Sequence, residues 1–232
     1  MKSRRWLGLL LALVTLGESL ARAQRPELVL PRPGNIVVAS VTGEVTLSAG
    51  DQRRVLKIDD RLRVGSTVVT GRRAMLTLLL SNGVLLQLGS EAELELEEFG
   101  QAPVSGGGKL SDLKQEPTLS RTYLRLLRGD VAVTVKPLKI AQGSSFSLST
   151  IAGSVEVGEA VFRVVLRMHE LGLGVYQLHV QSGGVDFIPA GGDVSQPVAA
   201  GRSLGFSLEI DAAGVVKRGE LPLAPAQPAN LK

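Results

Sequence analysis

Apolar residues alternate with other residues through the stretch MLTLLLSNGVLLQLGSEAELELEEF, which runs from Met75 to Phe99. Successive side chains of a β-strand point to opposite faces, so a period of two predicts strands with one apolar face. Asn82-Gly83 interrupts the stretch, and this dipeptide favours the positive φ angles of a tight hairpin turn. The pattern therefore predicts a hairpin followed by a third strand. The apolar positions are Leu76, Leu78, Leu80, Val84, Leu86, Leu88, Ala92, Leu94 and Leu96.

The opposite face of this stretch carries a glutamate at every second position from Glu91 to Glu97. We expect this glutamate row to face water, where its charge also discourages aggregation between strands. A shared calcium ion fits the spacing poorly. Residues two apart on a strand lie about 6.6 Å apart, whereas carboxylate oxygens lie about 2.3 to 2.6 Å from Ca²⁺. Leu79 and Leu85 break the alternation, so we expect the first two strands to be covered on both faces.

The same alternation recurs along most of the chain. It appears in residues 41–47, 131–135, 146–157, 162–166, 176–180 and 204–210. Short alternating segments separated by glycine-rich turns indicate a sandwich, a barrel or a solenoid. No segment shows a helical period over about ten residues. We therefore predict a single all-β domain of short strands over residues 36–220.

The first 23 residues have the form of a secretory signal peptide. A basic segment, Met1–Arg5, precedes an apolar segment, Trp6–Gly17, and Ala21-Arg22-Ala23 fits the cleavage rule. The apolar segment is shorter than the roughly 20 residues that span a bilayer. We therefore predict cleavage before Gln24, a periplasmic or secreted location, and no transmembrane anchor after cleavage.

Removal of this leader lowers the net charge of the chain and so changes which partners that charge favours. The chain has a formal net charge of +4, and three of these positive charges lie in the leader. The mature chain is then close to neutral, which argues against nucleic acid as a partner. With the only Trp in the leader, five Phe and two Tyr remain. They are too few to indicate the aromatic platforms on which bases stack.

Three segments lack the alternation. Residues 24–35 form a predicted N-terminal linker. Residues 100–117, GQAPVSGGGKLSDLKQEP, combine Gly, Ser, Pro and mixed charge, so we expect a mobile loop between two strands. Residues 221–232, LPLAPAQPANLK, are rich in Pro and Ala and are predicted to be a disordered tail.

Several motifs resemble the FecR-like domain family. They are VTGEV at 41–45, DDRLRVGSTVVTG at 59–71, AMLTLLLSNGVLLQLGSEAELEL at 74–96 and LRLLRGDVAV at 124–133. The order of these motifs, more than any one of them, carries the resemblance, which covers residues 36–180. It implies a β-rich extracytoplasmic module, β-solenoid-like or sandwich-like, that acts by protein contact and has no catalytic activity.

The signalling members of that family pass a signal from an outer-membrane transporter to a sigma factor. This sequence departs from them, because export is predicted to begin at Met1 and no sigma-binding region or internal membrane span follows. Near the end of the domain the family has Arg-Gly-Thr before an aromatic residue, whereas Gly158, Glu159 and Ala160 occupy those places here. The resemblance therefore implies the fold and a binding role in the cell envelope, but not the transfer of a signal to a sigma factor.

The sequence contains few candidates for catalytic or metal-binding residues. GRSLG at 201–205 fits the G-x-S-x-G motif of serine hydrolases, but an alternating, strand-like segment follows it and no His lies after Ser203. His169 and His179 are the only histidines, and the chain has no Cys, so a metal centre lacks its usual ligands. His179 is expected to have a solvent-facing or cross-strand role. We predict no catalytic residues, no cofactor and no metal site, with a hydrolase at Ser203 as a minor alternative.

Seven basic residues lie between the first motif of the resemblance, which ends at residue 45, and the third, which begins at residue 74. We call them the basic run. It consists of Arg53, Arg54, Lys57, Arg61, Arg63, Arg72 and Arg73. Arg72 and Arg73 follow the Thr70-Gly71 turn, where a loop tip can project charge beyond the strands. We therefore expect Arg72 and Arg73 to contact a partner, an envelope protein. The alternative is that this basic run binds a cell-wall glycan or another polyanion.

Overall fold

The computed structural model describes residues 33–104, 112–169, 172–192, 194–211 and 216–220, and almost all regular structure in these ranges is β. The predicted all-β fold is thus confirmed. The strands are β1 Ile36–Thr42, β2 Val45–Ala49, β3 Gln52–Val55, β4 Arg61–Leu62, β5 Ser66–Thr70, β6 Met75–Leu80, β7 Leu85–Leu88, β8 Glu93–Gln101, β9 Ser120–Val135, β10 Ser145–Thr150, β11 Gly153–Met168, β12 Leu173–Pro189, β13 Gln196–Ala199, β14 Ser203–Ile210 and β15 Val216–Glu220.

These strands form one continuous mixed sheet that folds over into two layers. The pairings give layer A the order β3-β2-β5-β8-β9-β10-β11-β12-β13 and layer B the order β4-β1-β6-β7-β9-β11-β12-β14-β15. The pairing of β9 with β10 is parallel, and the other pairings are antiparallel. Strands β9, β11 and β12, of 16 or 17 residues each, are long enough to belong to both layers.

The layer change in β9 takes place at Gly129. Residues before it pair with β8 and β10 in layer A, and residues from Gly129 onward pair with β11 and then β7 in layer B. Gly129 has φ +94°, and a Cβ atom there would lie 2.3 Å from Cα of Ala92. Only glycine combines that backbone angle with so close an approach.

The two layers face each other across one hydrophobic core. The rings of Phe146 in layer A and Phe162 in layer B lie 6.4 Å apart, edge to face. The core is a single cluster that contains residues of both layers. The nine apolar positions predicted between Leu76 and Leu96 are all at most 1% exposed, which confirms the alternation. Leu79 and Leu85 pair across β6 and β7 on the outer face of layer B and are half-buried.

Asn82 does more than form the predicted turn. Its side chain is 1% exposed and its Nδ2 donates to Ser120 Oγ at 3.1 Å and to Thr122 Oγ1 at 3.2 Å in layer A. Neighbouring Ser81 donates to Gln101 Oε1 at 2.5 Å. Buried donors and acceptors need hydrogen-bond partners, and here they find them in each other. The resulting buried polar network joins the two layers at one end of the sandwich.

Part of the predicted loop 100–117 is packed against this end. Gly100 and Gln101 belong to β8, and Gln101 is buried. Glu116 is fully buried, and its carboxylate accepts hydrogen bonds from Ser120 Oγ, at 2.6 Å, and from the backbone N–H of Lys139. Residues 105–111 lie outside the described residues.

The predicted signal peptide at 1–23, most of the linker at 24–35 and the predicted tail at 221–232 also lie outside the described residues. Within the part of the chain that the structure describes, no helix has the length and apolar character needed to cross a bilayer.

Candidate protein-binding surface

The structure places the basic run in two segments, one between β2 and β5 and one in the turn between β5 and β6. The segment between β2 and β5 runs along one lateral edge of the sandwich, because β3 extends layer A and β4 extends layer B. Leu56 between these strands is 2% exposed and closes the core at this edge. Arg72 and Arg73 lie instead in the turn between β5 and β6.

We define the edge surface by the side chains that this lateral segment exposes. Val55, Ile58 and Val64 are 54%, 56% and 39% exposed, although they are large aliphatic residues. The same segment carries four exposed cations, and none of these cations forms an ion pair with a described carboxylate. The edge surface consists of Arg53, Val55, Lys57, Ile58, Arg61, Arg63 and Val64.

Strand β3 leaves one side of its backbone without a partner strand. Among the described residues it pairs only with β2. The N–H of Leu56 donates to the carbonyl of Val45 at 2.8 Å, so it points toward β2. Backbone N–H groups alternate in direction along an antiparallel strand, so the N–H groups of Val55 and Arg53 point away from β2. The edge surface therefore combines exposed aliphatic and basic side chains with free backbone donors.

Asp60 holds the turn after β3 in place. Its Oδ2 accepts a hydrogen bond from the backbone N–H of Lys57 at 2.9 Å and one from Arg54 Nη1 at 2.6 Å. The Lys57 N–H and then the Arg54 side chain lower the pKa of Asp60 below its ordinary value of 3.8. Both interactions favour the ionised form. The Asp60 carboxylate thus fixes one end of the edge surface and neutralises Arg54.

Arg72 and Arg73 form the second segment of the basic run, at the tip of the β5–β6 turn. Arg72 Nε lies 3.3 Å from Oε1 of Glu91, and the two side chains are 91% and 64% exposed. An ion pair this exposed contributes little to stability. Arg73 has φ +54° and is exposed. Both arginines are exposed as expected, and they follow β5, which is separated from β3 by β2 alone in layer A.

The glutamate row faces arginines of β9 as well as water. Glu93 Oε2 lies 3.0 Å from Arg128 Nε, and Arg125 Nη2 lies 2.6 Å from Glu97 Oε1. These side chains are between about one quarter and one half exposed, so solvent screens the pairs. The outer face of layer A is thus a ladder of opposite charges, and of the basic run only Arg72 contacts a glutamate of this series.

Ser203 and His179, which the sequence analysis treats separately, are neighbours. They are directly opposite each other in β14 and β12, and Ser203 Oγ lies 2.9 Å from His179 Nδ1. His179 also lies opposite Arg163, whose guanidinium is held by Asp130. No carboxylate among the described residues contacts the His179 ring, so the usual third member of a triad is missing. The pair fits the cross-strand role expected for His179.

Metal-ligating residues do not cluster in the described ranges. No three His, Asp or Glu side chains there come together in a way that could hold a metal ion. The backbone N–H of His169 donates to the carbonyl of Leu173 at 2.7 Å.

A shallow groove of about 380 Å³ opens where β9 leaves layer A. Its apolar walls include Leu127, Ile151 and Met168, and Arg125 lies at its rim. Leu127 and Ile151 are each 38% exposed. Arg125 is the one charged residue among the described residues that line the groove, and it is already paired with Glu97.

Two crystal structures of a candidate anti-sigma factor from Parabacteroides distasonis ATCC 8503 are similar to this chain, with 11% and 12% sequence identity and a TM-score of 0.43 in both cases. Each alignment covers 66% of this chain and 58% of that chain, so this chain spans less than two thirds of that protein. No protein-family model matches the sequence, and no curated protein matches it. Membership of the FecR-like family therefore stays a prediction.

Proposed function

We propose that this protein is a non-enzymatic binding module of the cell envelope that contacts another protein through its edge surface. The observation that carries the proposal is the exposure of Val55 and Ile58, each above one half, beside free backbone donors and unpaired cations. Val55 and Ile58 belong to one short exposed segment; exposed apolar patches are typical of interaction sites, and Arg is enriched in protein interfaces.

Two expectations from the sequence support the same function. The predicted leader places the mature chain in the periplasm or outside the cell. The resemblance to FecR-like domains implies a module that works by protein contact, as a scaffold or as part of a sensor. The pairing of Ser203 with His179 offers a hydroxyl and an imidazole, but in an arrangement without a carboxylate partner among the described residues.

Site-specific photo-crosslinking in cells tests this proposal. A photo-reactive amino acid at position 58 should give a discrete crosslinked protein in the envelope fraction. The same group at Gln87, which is exposed on the outer face of layer B, serves as the control and should not give that product. The Arg53→Glu and Lys57→Glu double variant should reduce the product at position 58 several-fold. Equal crosslinking at both positions, or none at position 58, would remove the edge surface as the binding site.

Salt dependence separates a protein partner from a polyanion. Binding to a glycan or another polyanion through cations alone should weaken steeply as ionic strength rises, because exposed charges are screened. Binding that also buries Val55 and Ile58 should retain most of its affinity at high salt. A steep loss of binding with salt in the folded protein would favour the polyanion alternative.

The predicted contact at Arg72 and Arg73 is tested in the same assay. Reversing both charges should weaken partner association without unfolding the domain, since both side chains lie in an exposed turn. If that variant binds as well as the wild type and the Arg53→Glu and Lys57→Glu variant does not, the edge surface alone forms the contact. Loss of function in folded Ser203→Ala would instead support the minor hydrolase alternative.

A further inference from the structure

The side chains of β3 lie on two faces with different environments. Arg53 is opposite Ser48 and Val55 is opposite Thr46, so both project from the outer face of layer A. Arg54 is opposite the buried Leu47 and pairs with Asp60. The outer face of this edge therefore presents one cation and one aliphatic side chain, two residues apart, which places them about 6.6 Å from each other.

The backbone on the same side is available for pairing. The N–H groups of Arg53 and Val55 point away from β2, as the Leu56 N–H to Val45 carbonyl bond shows. The next donor on that side, the Lys57 N–H, is already bound by Asp60. The free edge thus has a defined length, which begins at β3 and ends where Asp60 closes the turn.

Two of the other edges of the sandwich are less suited to accept a strand. Strand β13 at the opposite edge of layer A contains Pro197, which has no N–H to donate. Strand β4 at the edge of layer B has two residues. Strand β3 contains neither Pro nor Gly, and the Asp60 contacts keep its end in place. Its outward-facing Arg53 disfavours a basic or purely apolar strand and favours an acidic one.

We propose that β3 accepts an extended segment of the partner protein as an additional strand of layer A. The segment carries a carboxylate that lies opposite Arg53 and an aliphatic side chain that lies opposite Val55. Main-chain hydrogen bonds to Arg53 and Val55 provide affinity, and the two side-chain contacts provide specificity. Ile58 and Lys57 extend the same combination of apolar and basic groups past the end of β3. This inference rests on the proposed function and specifies the partner's chemistry at the same surface.

A synthetic peptide in which glutamate and valine lie two residues apart, each followed by threonine, presents both side chains on one face of a strand. Labelled with a fluorophore and flanked by glycine, it serves as the probe. Fluorescence anisotropy should show saturable binding to the full mature protein. The same peptide with N-methyl groups on the backbone amides of one edge retains its charge but loses its donors, and a second N-methylated peptide blocks the other edge. Blocking the edge that faces β3 should weaken binding about tenfold, whereas blocking the other edge should have little effect. A lysine and valine peptide should not bind.

A matched pair of protein variants tests the same bonds from the other side. Val55→Pro removes the outward N–H and leaves the charge of the edge surface unchanged, whereas Val55→Thr keeps the N–H and the branched shape. Proline is tolerated at an edge position whose N–H faces away from the sheet. Val55→Pro should weaken peptide binding about tenfold more than Val55→Thr does. If Val55→Pro fails to fold, the N-methylated peptides still decide the result.

The peptide, variant, vesicle and crosslinking experiments together distinguish strand addition from the other ways in which the edge surface could act. Equal affinity of the unmodified peptide and both N-methylated peptides would overturn strand addition, and so would similar affinities of folded Val55→Pro and Val55→Thr. Binding of the protein to vesicles that contain phosphatidylglycerol, without binding of the peptide, would assign the edge surface to an anionic membrane. If crosslinking at position 58 in cells persists while the peptide fails, the strand addition is wrong and the proposed function stands. If both fail, the proposed function is wrong as well.

Discussion

The hydroxyl group of Tyr176 lies in the core, and it has no hydrogen-bond partner among the described residues. The Tyr176 ring packs against Phe187, with the centroids 5.3 Å apart, and against Phe206 at 6.2 Å. Burial raises the pKa of the Tyr176 phenol well above its ordinary value, because the charged form would lose its hydration. A buried polar group without a partner lowers the stability of the folded state.

Tyr176→Phe should therefore stabilise the protein, by up to about 1 to 2 kcal/mol, since it removes the hydroxyl and keeps the ring contacts. Urea denaturation measures the free energy of unfolding. Tyr123→Phe is the control, because Tyr123 is only half-buried on the outer face of layer A and should change stability by less than about 0.5 kcal/mol. A clear loss of stability in Tyr176→Phe would mean that the hydroxyl has a partner, such as an internal water molecule.

At the residue scale, the alternation of the sequence predicts burial well but not the partners of the polar face. Leu78 and Leu86 are fully buried, as their even positions predict. The arginine that pairs with Glu93 is Arg128, 35 positions later in the chain. A period of two shows which face a side chain occupies, but the cross-strand neighbour depends on the register of a distant strand.

At the element scale, the layer change in β9 depends on the absence of a side chain at Gly129. The φ angle of +94° is unfavourable for other residues, and a methyl group would overlap the backbone of Ala92. Gly50 is the matched control: it has φ +57°, and nothing lies within 4 Å of the position of its Cβ.

Gly129→Ala should destabilise the protein by more than about 3 kcal/mol, because backbone strain and the overlap with Ala92 add together. Gly50→Ala should cost only about 1 to 2 kcal/mol, which is the strain of a left-handed residue alone. Thermal or urea denaturation of both variants measures the difference. Similar small effects at the two positions would show that β9 can change layers without this glycine.

The turn after β3 should make stability depend on pH through Asp60. Because the pKa of Asp60 is lower in the folded protein than its ordinary value of 3.8, ionised Asp60 stabilises the fold above that pH. This stabilisation is lost as the pH falls through the folded-state pKa. Asp60→Asn should cost up to about 1 kcal/mol near pH 6, a modest value because solvent screens the site, and the difference from the wild type should shrink below about pH 3.8.

Asp51→Asn, in the exposed turn before β3, controls for the loss of a carboxylate as such. Denaturation at several pH values should show no comparable pH-dependent difference for this variant. A constant effect of Asp60→Asn from pH 6 to pH 2.5 would mean that the carboxylate does not hold the turn.

The sequence predicts the existence of most strands but not how they are connected into layers. Runs such as 131–135 and 162–166 alternate clearly, yet each belongs to a strand of 16 residues that continues into the other layer. Those continuations contain glycines or charged residues near the layer change, which resemble turn signals when read locally. For the same reason the basic run appears nearly continuous in sequence, although the strand β5 lies between the edge surface and the β5–β6 turn.

At the scale of the whole molecule, the layers of the sandwich are not independent units. Strands β9, β11 and β12 each contribute to both layers, and one hydrophobic cluster fills the space between the layers. The buried network around Asn82 joins the layers by hydrogen bonds at one end. Opening one layer would therefore break strand pairs and expose core residues in the other.

Unfolding should consequently occur in one cooperative transition, in which a core substitution in either layer shifts the same midpoint. Leu78→Ala in layer B and Leu94→Ala in layer A each remove a fully buried side chain and should each cost about 2 to 5 kcal/mol. Circular dichroism and tyrosine fluorescence should report coincident transitions for the wild type and both variants. Glu93→Gln, next to Leu94 but on the solvent side, should cost less than about 1 kcal/mol because its ion pair with Arg128 is exposed. Two separate transitions, with Leu78→Ala shifting one and Leu94→Ala the other, would show that the layers fold independently despite the three strands they share.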